Sequence, residues 1–479
     1  MPVAQQIPIE TETEWRLPPG LRRGLGFYIL KPWVKLGSPI ILFEHLQRTY
    51  GNMASYTFFN THIVLVNEPE YIREILVTQG ASFVKERTVR RMKVTLGEGL
   101  ITSEDPFHMR QRRIMAPAFH RQRIAAYADQ IVASAASARD QIKPGQTLDI
   151  GAASMALSLE IVARTLFDTE VDDEIRSIND EVNIIMGLYN FIVAFPRLES
   201  FLHLPIPGVI KFRRSKARLD AVVDRLIARH REYMASSRAG EEDRGDLLSM
   251  LLSSRDELLD ADGRPTGKYV QMSDLQVRDE VLTIFLAGYE TVANGLTWTW
   301  YLLSQNPEAE ARLHAELDEV LGCGEARRLP TLADYPALRY TEQVFAESMR
   351  LYPPAWVVAR MSTQPIELGP YRFPSGTFFY MSQYVISRVA EFYPEPLRFD
   401  PDRFTPEAKS ARPKFAYFPF GGGSRQCIGE SFAWMEGVLA IATLAQRWRF
   451  TYAGSAPPVP EAKITLRPRD PLMVRSEPR

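Results

Sequence analysis

Apolar residues recur every three to four positions through IAAYADQIVASAASARDQI (residues 124–142) and ARLDAVVDRLIARHREYM (217–234), which predicts two amphipathic helices. MASYTFF and HIVLV, on either side of Asn60-Thr61, alternate as the two strands of a β-hairpin do. The longest helical pattern is SDLQVRDEVLTIFLAGYETVANGLTWTWYLLSQNP. Ser273 and Gln276 make a capping box at its start, and Asn306-Pro307 ends it. About 33 residues at 1.5 Å each span roughly 50 Å, the width of a whole domain. A helix of that length, apolar on most faces, has to run through the middle of the protein. Between the helical stretches, FPRLESFLHLPIPG (195–208) reads as an apolar loop, and SSRAGEEDRGD (236–246) as a solvated connection. From about residue 370 the pattern shifts to short strands, prolines and loops. The fold class expected is mainly α with small β-sheets.

A chain of 479 residues allows up to three domains, yet no interdomain linker or internal repeat divides it. Residues 1–479 are therefore expected to form a single domain, with residues 1–20 loosely ordered. A formal net charge of −1 gives no reason to expect a nucleic-acid partner. Two cysteines, Cys323 and Cys427, exclude a disulfide framework, and seven scattered histidines contain no HExxH pair for zinc. The N-terminus MPVAQQIPIETETEW is unlike a signal peptide. The most apolar segment, residues 26–43, is broken by Lys31, Pro32, Lys35 and Pro39, so no transmembrane anchor is expected and the protein is placed in the cytoplasm.

The candidate chemistry lies in residues 418–447. Phe420-Gly-Gly-Gly-Ser-Arg-Gln-Cys427-Ile-Gly429 runs directly into the helical pattern ESFAWMEGVLAIATLAQRW. A cysteine at a helix N-terminus meets backbone N–H groups and the positive end of the helix dipole, both of which favour a thiolate. Gly421, Gly423 and Gly429 let the backbone approach a flat group closely, and Arg425 supplies a cation for a carboxylate. A thiolate in a glycine cradle suits an axial haem ligand. A phosphate loop is the alternative for such glycines, but GxxxxGK[ST] is not found. Cys323, in LGCGEARRLP, is given no role.

The complete FxxGxRxCxG spacing resembles the haem-binding signature of the cytochrome P450 family, the haem-thiolate monooxygenases. Three further segments follow the family's order: Ala287-Gly288-Tyr289-Glu290-Thr291 within the long helix, Glu347-Ser-Met-Arg350, and Pro401-Asp-Arg403-Phe404. The resemblance implies haem b ligated by Cys427, O2 as co-substrate, and Thr291 and Glu290 as the alcohol and acid that handle oxygen and protons. Ala287 and Gly288 would leave room for the cofactor, and Glu347, Arg350 and Arg403 would form a buried ion cluster. His108, Arg112 and Arg360 join Arg425 as candidate partners of the haem carboxylates. By position in the family, Thr95, Leu96, Phe285, Ala287, Ala355, Trp356, Val357, Val358 and Leu472 would line the substrate pocket. These are apolar or nearly so, which points to a lipophilic substrate such as a fatty acid, sterol or terpenoid. Within KERTVRRMK (85–93), Arg90 or Arg91 is a candidate anchor for a substrate carboxylate. No flavin or iron–sulfur segment follows the motif, so electrons are expected from a ferredoxin or flavodoxin with its NAD(P)H-dependent reductase. Arg110, Arg113, Arg121, Arg123, Lys409, Arg412 and Lys414 would dock that partner. The rival functions are a haem-thiolate peroxygenase or isomerase and a haem-based gas or redox sensor, against which the Glu290-Thr291 pair argues.

Overall fold

The computed structural model describes residues 15–21, 38–58, 61–169, 181, 184–185, 204–236, 246–259 and 265–479. The expectation for residues 1–14 lies outside these, as do most of the two connections read at 195–208 and 236–246.

The long helix runs from Asp274 to Gln305. The Ser273 hydroxyl accepts from the Gln276 amide, and the Gln276 side chain accepts from the Ser273 amide. Its middle is buried on nearly every side, from Val277 to Leu303. Helix Ile150–Leu166 lies along it, and helices Arg339–Leu351 and Glu430–Ala445 pack around it. The apolar faces of helices Arg121–Gln141 and Pro207–Ser236 join the same core, Ile131 from the first and Leu219 and Val223 from the second. Burying those stripes gives these helices most of their stability.

The hairpin forms as two antiparallel strands, Met53–Phe58 and Thr61–Val66, with Met53 opposite Val66. They belong to a six-stranded sheet that continues through Phe378–Met381 and Val358–Ser362 to Phe83–Lys85. In this register Lys85 lies opposite Arg360. Like charges across a strand pair are unfavourable, and both side chains reach the same cavity between sheet and helices. The small sheets thus deliver cations to one edge of a mainly helical core. Among the described residues, no helix is long and apolar enough to cross a membrane.

Candidate active site

Cys427 sits in a loop three residues ahead of helix Glu430–Ala445, rather than in its first turn. Gly421 and Gly423 adopt φ values of +73° and +70°. A Cβ on Gly423 would run into the Leu76 carbonyl oxygen, so both the conformation and the contact require glycine. The Cys427 amide donates to the Phe420 carbonyl at 2.9 Å, which closes the loop. The thiol is accessible from a cavity of about 400 Å³ that it lines, while the protein around it desolvates it. Burial pushes it up to about 11, against the Gly429 amide and the Arg112 charge. The one amide and the one charge do not offset desolvation, and a bound metal cation would. A desolvated thiol open to a cavity and framed by glycines therefore fits the axial-ligand role.

One edge of the cavity is strongly basic: Lys85, His108, Arg112, Arg360 and Arg425 all line it. Arg425 donates to the Ser103 carbonyl at 2.9 Å and pairs with Glu104 at 2.8 Å. Arg112 donates to the Gln426 carbonyl at 2.6 Å, and Arg360 to the Ala359 carbonyl at 2.9 Å. Burial and the Arg425 charge lower Arg360 to about 10. Burial, with Arg425 and Lys85, drives His108 down to about 3, so its imidazole is neutral. Its Nδ1 lies 3.4 Å from Asp105 but makes no hydrogen bond. The cations outnumber Glu104 and Asp105, and this excess fits the two carboxylates of a haem.

Lys85 is the functional residue that sequence reasoning missed. Its ammonium donates to the Leu100 and Ser103 carbonyls, both at 2.8 Å, and burial followed by the Arg425 charge lowers it to about 7. The available signal was a lysine closing the short apolar strand Phe83–Lys85, hidden within a run of cations. Arg90 and Arg91, by contrast, lie on a helical turn, Arg87–Arg91, and do not line the cavity. Residues 85–93 are thus mostly helical rather than a loop, and they bring Lys85 and Val89 to the site.

Thr283, Ala287 and Thr291, spaced four apart on the long helix, form a row along the cavity. The Thr291 hydroxyl donates to the Ala287 carbonyl at 2.7 Å. Gly288 also touches the cavity, but a Cβ there would meet Val162 at 3.1 Å. The missing side chain makes room for the neighbouring helix where the same residue borders the cavity. Glu290 turns away from the cavity. Its carboxylate accepts from Thr465 at 2.6 Å, Asn294 donates to the same Thr465 hydroxyl at 3.2 Å, and burial holds its carboxyl above the usual range.

The buried ion cluster is closed on all sides. Arg350 makes two bonds to Glu347, at 2.6 and 2.7 Å, and donates to the Ser387, Pro396 and Arg398 carbonyls. The Asp400 amide donates to Glu347 at 2.9 Å, and Arg403 stands 3.6 Å from the same carboxylate.

Of the expected pocket residues, Ala355, Val357 and Val358 line the cavity together with Ala287, and Leu100, Ile101 and Ile284 complete much of the wall. The remaining five do not line it. Thr95 and Leu96 are buried in the short helix Lys93–Leu96, one turn ahead of the residues that face inward. Phe285 stacks on Phe167 at 4.3 Å. Trp356 donates to the Lys463 carbonyl at 2.8 Å and packs on Phe43. Leu472 is buried where its carbonyl accepts from Ile150.

The expected docking cations divide as well. Arg412 is held over the Tyr393 and Phe404 rings and bonds to the Tyr393 hydroxyl, and Lys409 pairs with Glu342. Arg113 and Lys414 are exposed, while the side chain of Arg121 lies outside the described residues.

The cytochrome P450 family model matches residues 18–475. Cyclooctatin synthase of Streptomyces melanosporofaciens is 37% identical over 437 residues, covering 90% of this chain and 89% of that protein. Cyclooctat-9-en-7-ol 5-monooxygenase of the same organism is 36% identical, with 84% and 83% covered. Pentalenene oxygenase of Streptomyces avermitilis is 33% identical, with 91% and 92% covered. Among solved structures, the cytochrome P450DA heme domain superposes with a TM-score of 0.80 at 21% identity, covering 97% of this chain and 98% of that one. The retinoic-acid-bound cyanobacterial CYP120A1 gives 0.79 at 22% identity, with 98% and 100% covered. With that match along nearly its whole length, and a desolvated thiol open to a cavity rimmed by cations, the chain belongs to the cytochrome P450 family and is a monooxygenase.

Proposed function

We propose that this enzyme inserts one oxygen atom from O2 into a C–H or C=C bond of a terpenoid, using haem b and electrons from a ferredoxin or flavodoxin in the cytoplasm. The carrying observation is the cavity itself: a thiol in its lining, cations on one edge and mostly aliphatic and aromatic side chains elsewhere. Its basic side chains sit where the haem carboxylates are assigned, which leaves the wall of Leu100, Ile101, Ile284, Ala355 and Val357 to a lipophilic skeleton. Two relatives are named for oxidising cyclooctat-9-en-7-ol and pentalenene, both terpenoids. That moves terpenoids ahead of fatty acids, as does the position of Arg90 and Arg91 away from the cavity.

When bound, a haem-thiolate supplies the redox chemistry of O2 activation. The chain's own residues do the rest. Cys427 holds the iron, and the Gly429 amide tempers its charge. Arg112, Arg360, Arg425 and Lys85 grip the carboxylates, with neutral His108 as a hydrogen-bond donor. Thr291 donates its proton to Ala287, which leaves its oxygen as an acceptor at the cavity. Glu290, whose carboxyl burial raises above the usual range, carries the proton on the far side of the helix and reaches the site by turning from Thr465. The aliphatic wall excludes water from the reacting bond. Arg113 and Lys414, with Arg110 and Arg123 on adjacent helices, supply the positive face for an acidic electron donor.

The test is titration of haem-loaded protein with pentalenene, cyclooctat-9-en-7-ol and palmitate, read by the shift of the Soret band. Saturable shifts with either terpenoid and none with palmitate are expected. A shift with palmitate alone would replace the terpenoid assignment with a fatty-acid one. Thr291→Ala is expected to keep the shift but to divert most electrons from product to peroxide, measured as product formed per NAD(P)H consumed.

A further inference from the structure

The loop of residues 97–103 contributes Leu100 and Ile101 to the cavity wall, yet contains no helix or strand of its own. Side chains from two other elements hold it. The Leu100 amide donates to Glu280 Oε2 at 3.0 Å, and the Leu100 carbonyl accepts from Lys85 Nζ at 2.8 Å. Both backbone polar groups of one wall residue are therefore taken by buried side chains. The Glu98 amide donates to Asp279 Oδ2 at 2.8 Å, and Lys85 also reaches the Ser103 carbonyl. The loop backbone lies directly on the long helix. A Cβ on Gly97 would collide with the Asp279 carboxylate, and one on Gly99 with the Thr283 hydroxyl.

Glu280 is fully buried but is not among the residues that line the cavity. Its Oε1 has no hydrogen-bond partner. Burial, reinforced by Asp279, raises its carboxyl to about 8, against the Leu100 amide and the Lys85 charge. A buried ionisable group is costly where apolar residues would serve, and the bond it makes is to the wall.

We propose that Glu280 is a specificity-determining positioning residue: with Asp279 and Lys85 it clamps the 97–103 loop, so that Leu100 and Ile101 form a fixed wall over the substrate. This rests on the reading that the cavity above Cys427 receives the substrate. The helix that carries Thr291 then also carries the group that sets the opposite wall. About three turns of one rigid element, from Glu280 to Thr291, thus fix the distance between the oxygen-handling residues and the surface against which the substrate lies.

The experiment compares haem-loaded wild type, Glu280→Gln and Glu280→Leu. Imidazole and 1-phenylimidazole serve as small and bulky probes in spectral titrations, and amide hydrogen exchange is followed across 97–103. In Glu280→Leu the Kd for 1-phenylimidazole is expected to rise about fivefold or more, with imidazole unchanged within about twofold. Exchange should accelerate about tenfold or more in 97–103 and not in the core helices. Glu280→Gln retains an acceptor for the Leu100 amide and should match wild type. If Glu280→Leu does not fold, Gly99→Ala, which pushes the loop off Thr283, takes its place with the same expected pattern. A lowered melting temperature with unchanged loop exchange and unchanged probe affinities would reduce Glu280 to a structural residue and overturn the proposal. So would a Gln variant that behaves like Leu. If wild type binds neither azole, the haem-site reading falls, and the proposal with it.

Discussion

Two clusters of buried charge stand in this molecule, and they are built on opposite principles. Around Glu347 every charge is answered by protein. Arg350 fills both carboxylate oxygens and three backbone carbonyls, and Arg403 and the Asp400 amide close the remaining sides. Around the cavity, Lys85, His108, Arg112, Arg360 and Arg425 face one another, Glu104, Asp105 and Glu280 answer them only in part, and the protein forces Lys85 down to about 7 and His108 to about 3. A complete cluster serves the fold. An incomplete one keeps its balance for a ligand, at the expense of stability while the ligand is away.

The strongest way to break this comparison is to open the closed cluster. Arg350→Ala leaves Glu347 buried with Arg403 at 3.6 Å, which should cost about 3–5 kcal/mol. Little soluble, haem-loaded protein is expected, measured by the yield of the thiolate-haem carbon monoxide band. Normal loading would show that the cluster is dispensable.

Opening the other cluster should do the reverse to the haem-free chain. Arg360→Leu removes a cation lying opposite Lys85, so the haem-free protein is expected to gain about 1 kcal/mol in denaturant melts. Its affinity for haem should fall about tenfold, measured by haem transfer to an acceptor protein. Loss of both stability and affinity would place Arg360 with the structural charges.

A pH titration sharpens the contrast further. His108 has a folded value of about 3 against about 6.5 when unfolded, so between these limits the unfolded chain binds more protons. The stability it contributes is complete above pH 6.5 and is lost as pH falls towards 3. His108→Gln should therefore melt about 2–4 °C higher than wild type at pH 5 relative to their difference at pH 7.5, both haem-free.

The smallest effect concerns electron supply. If Lys414 belongs to the positive face, Lys414→Glu should slow reduction by an acidic ferredoxin severalfold at low ionic strength and leave it unchanged at high salt. Insensitivity to both salt and charge reversal would remove Lys414 from the docking face.

Much of the site was legible because it is contiguous. The Ala287–Thr291 stretch and the Glu347/Arg350 spacing each lie within one helix, and the haem-thiolate segment in one loop and the helix that follows, where local chemistry and turn geometry fix neighbours in sequence as neighbours in space. The long helix and its capping box were legible for the same reason. The misread positions depended on rotation or on distant packing. One step along the helix, from Phe285 to Ile284, turns a side chain by about 100°, from a stack on Phe167 to the cavity. Thr95 and Leu96 gave way to Leu100 and Ile101 because the loop after Gly97 settles onto Asp279 and Thr283, 180 residues away.

The sequence alone therefore determined the family and located the candidate iron ligand, the Glu290–Thr291 pair and the Glu347–Arg350 pair, each carried by short-range spacing. Only the tertiary structure decided that Lys85 joins the cations lining the cavity, that Gly288 packs closely on Val162, and which side chains form the cavity wall. Those outcomes follow from strand register and from helix and loop packing between segments far apart in the chain, where the energy of close contact selects one face and no local pattern records it.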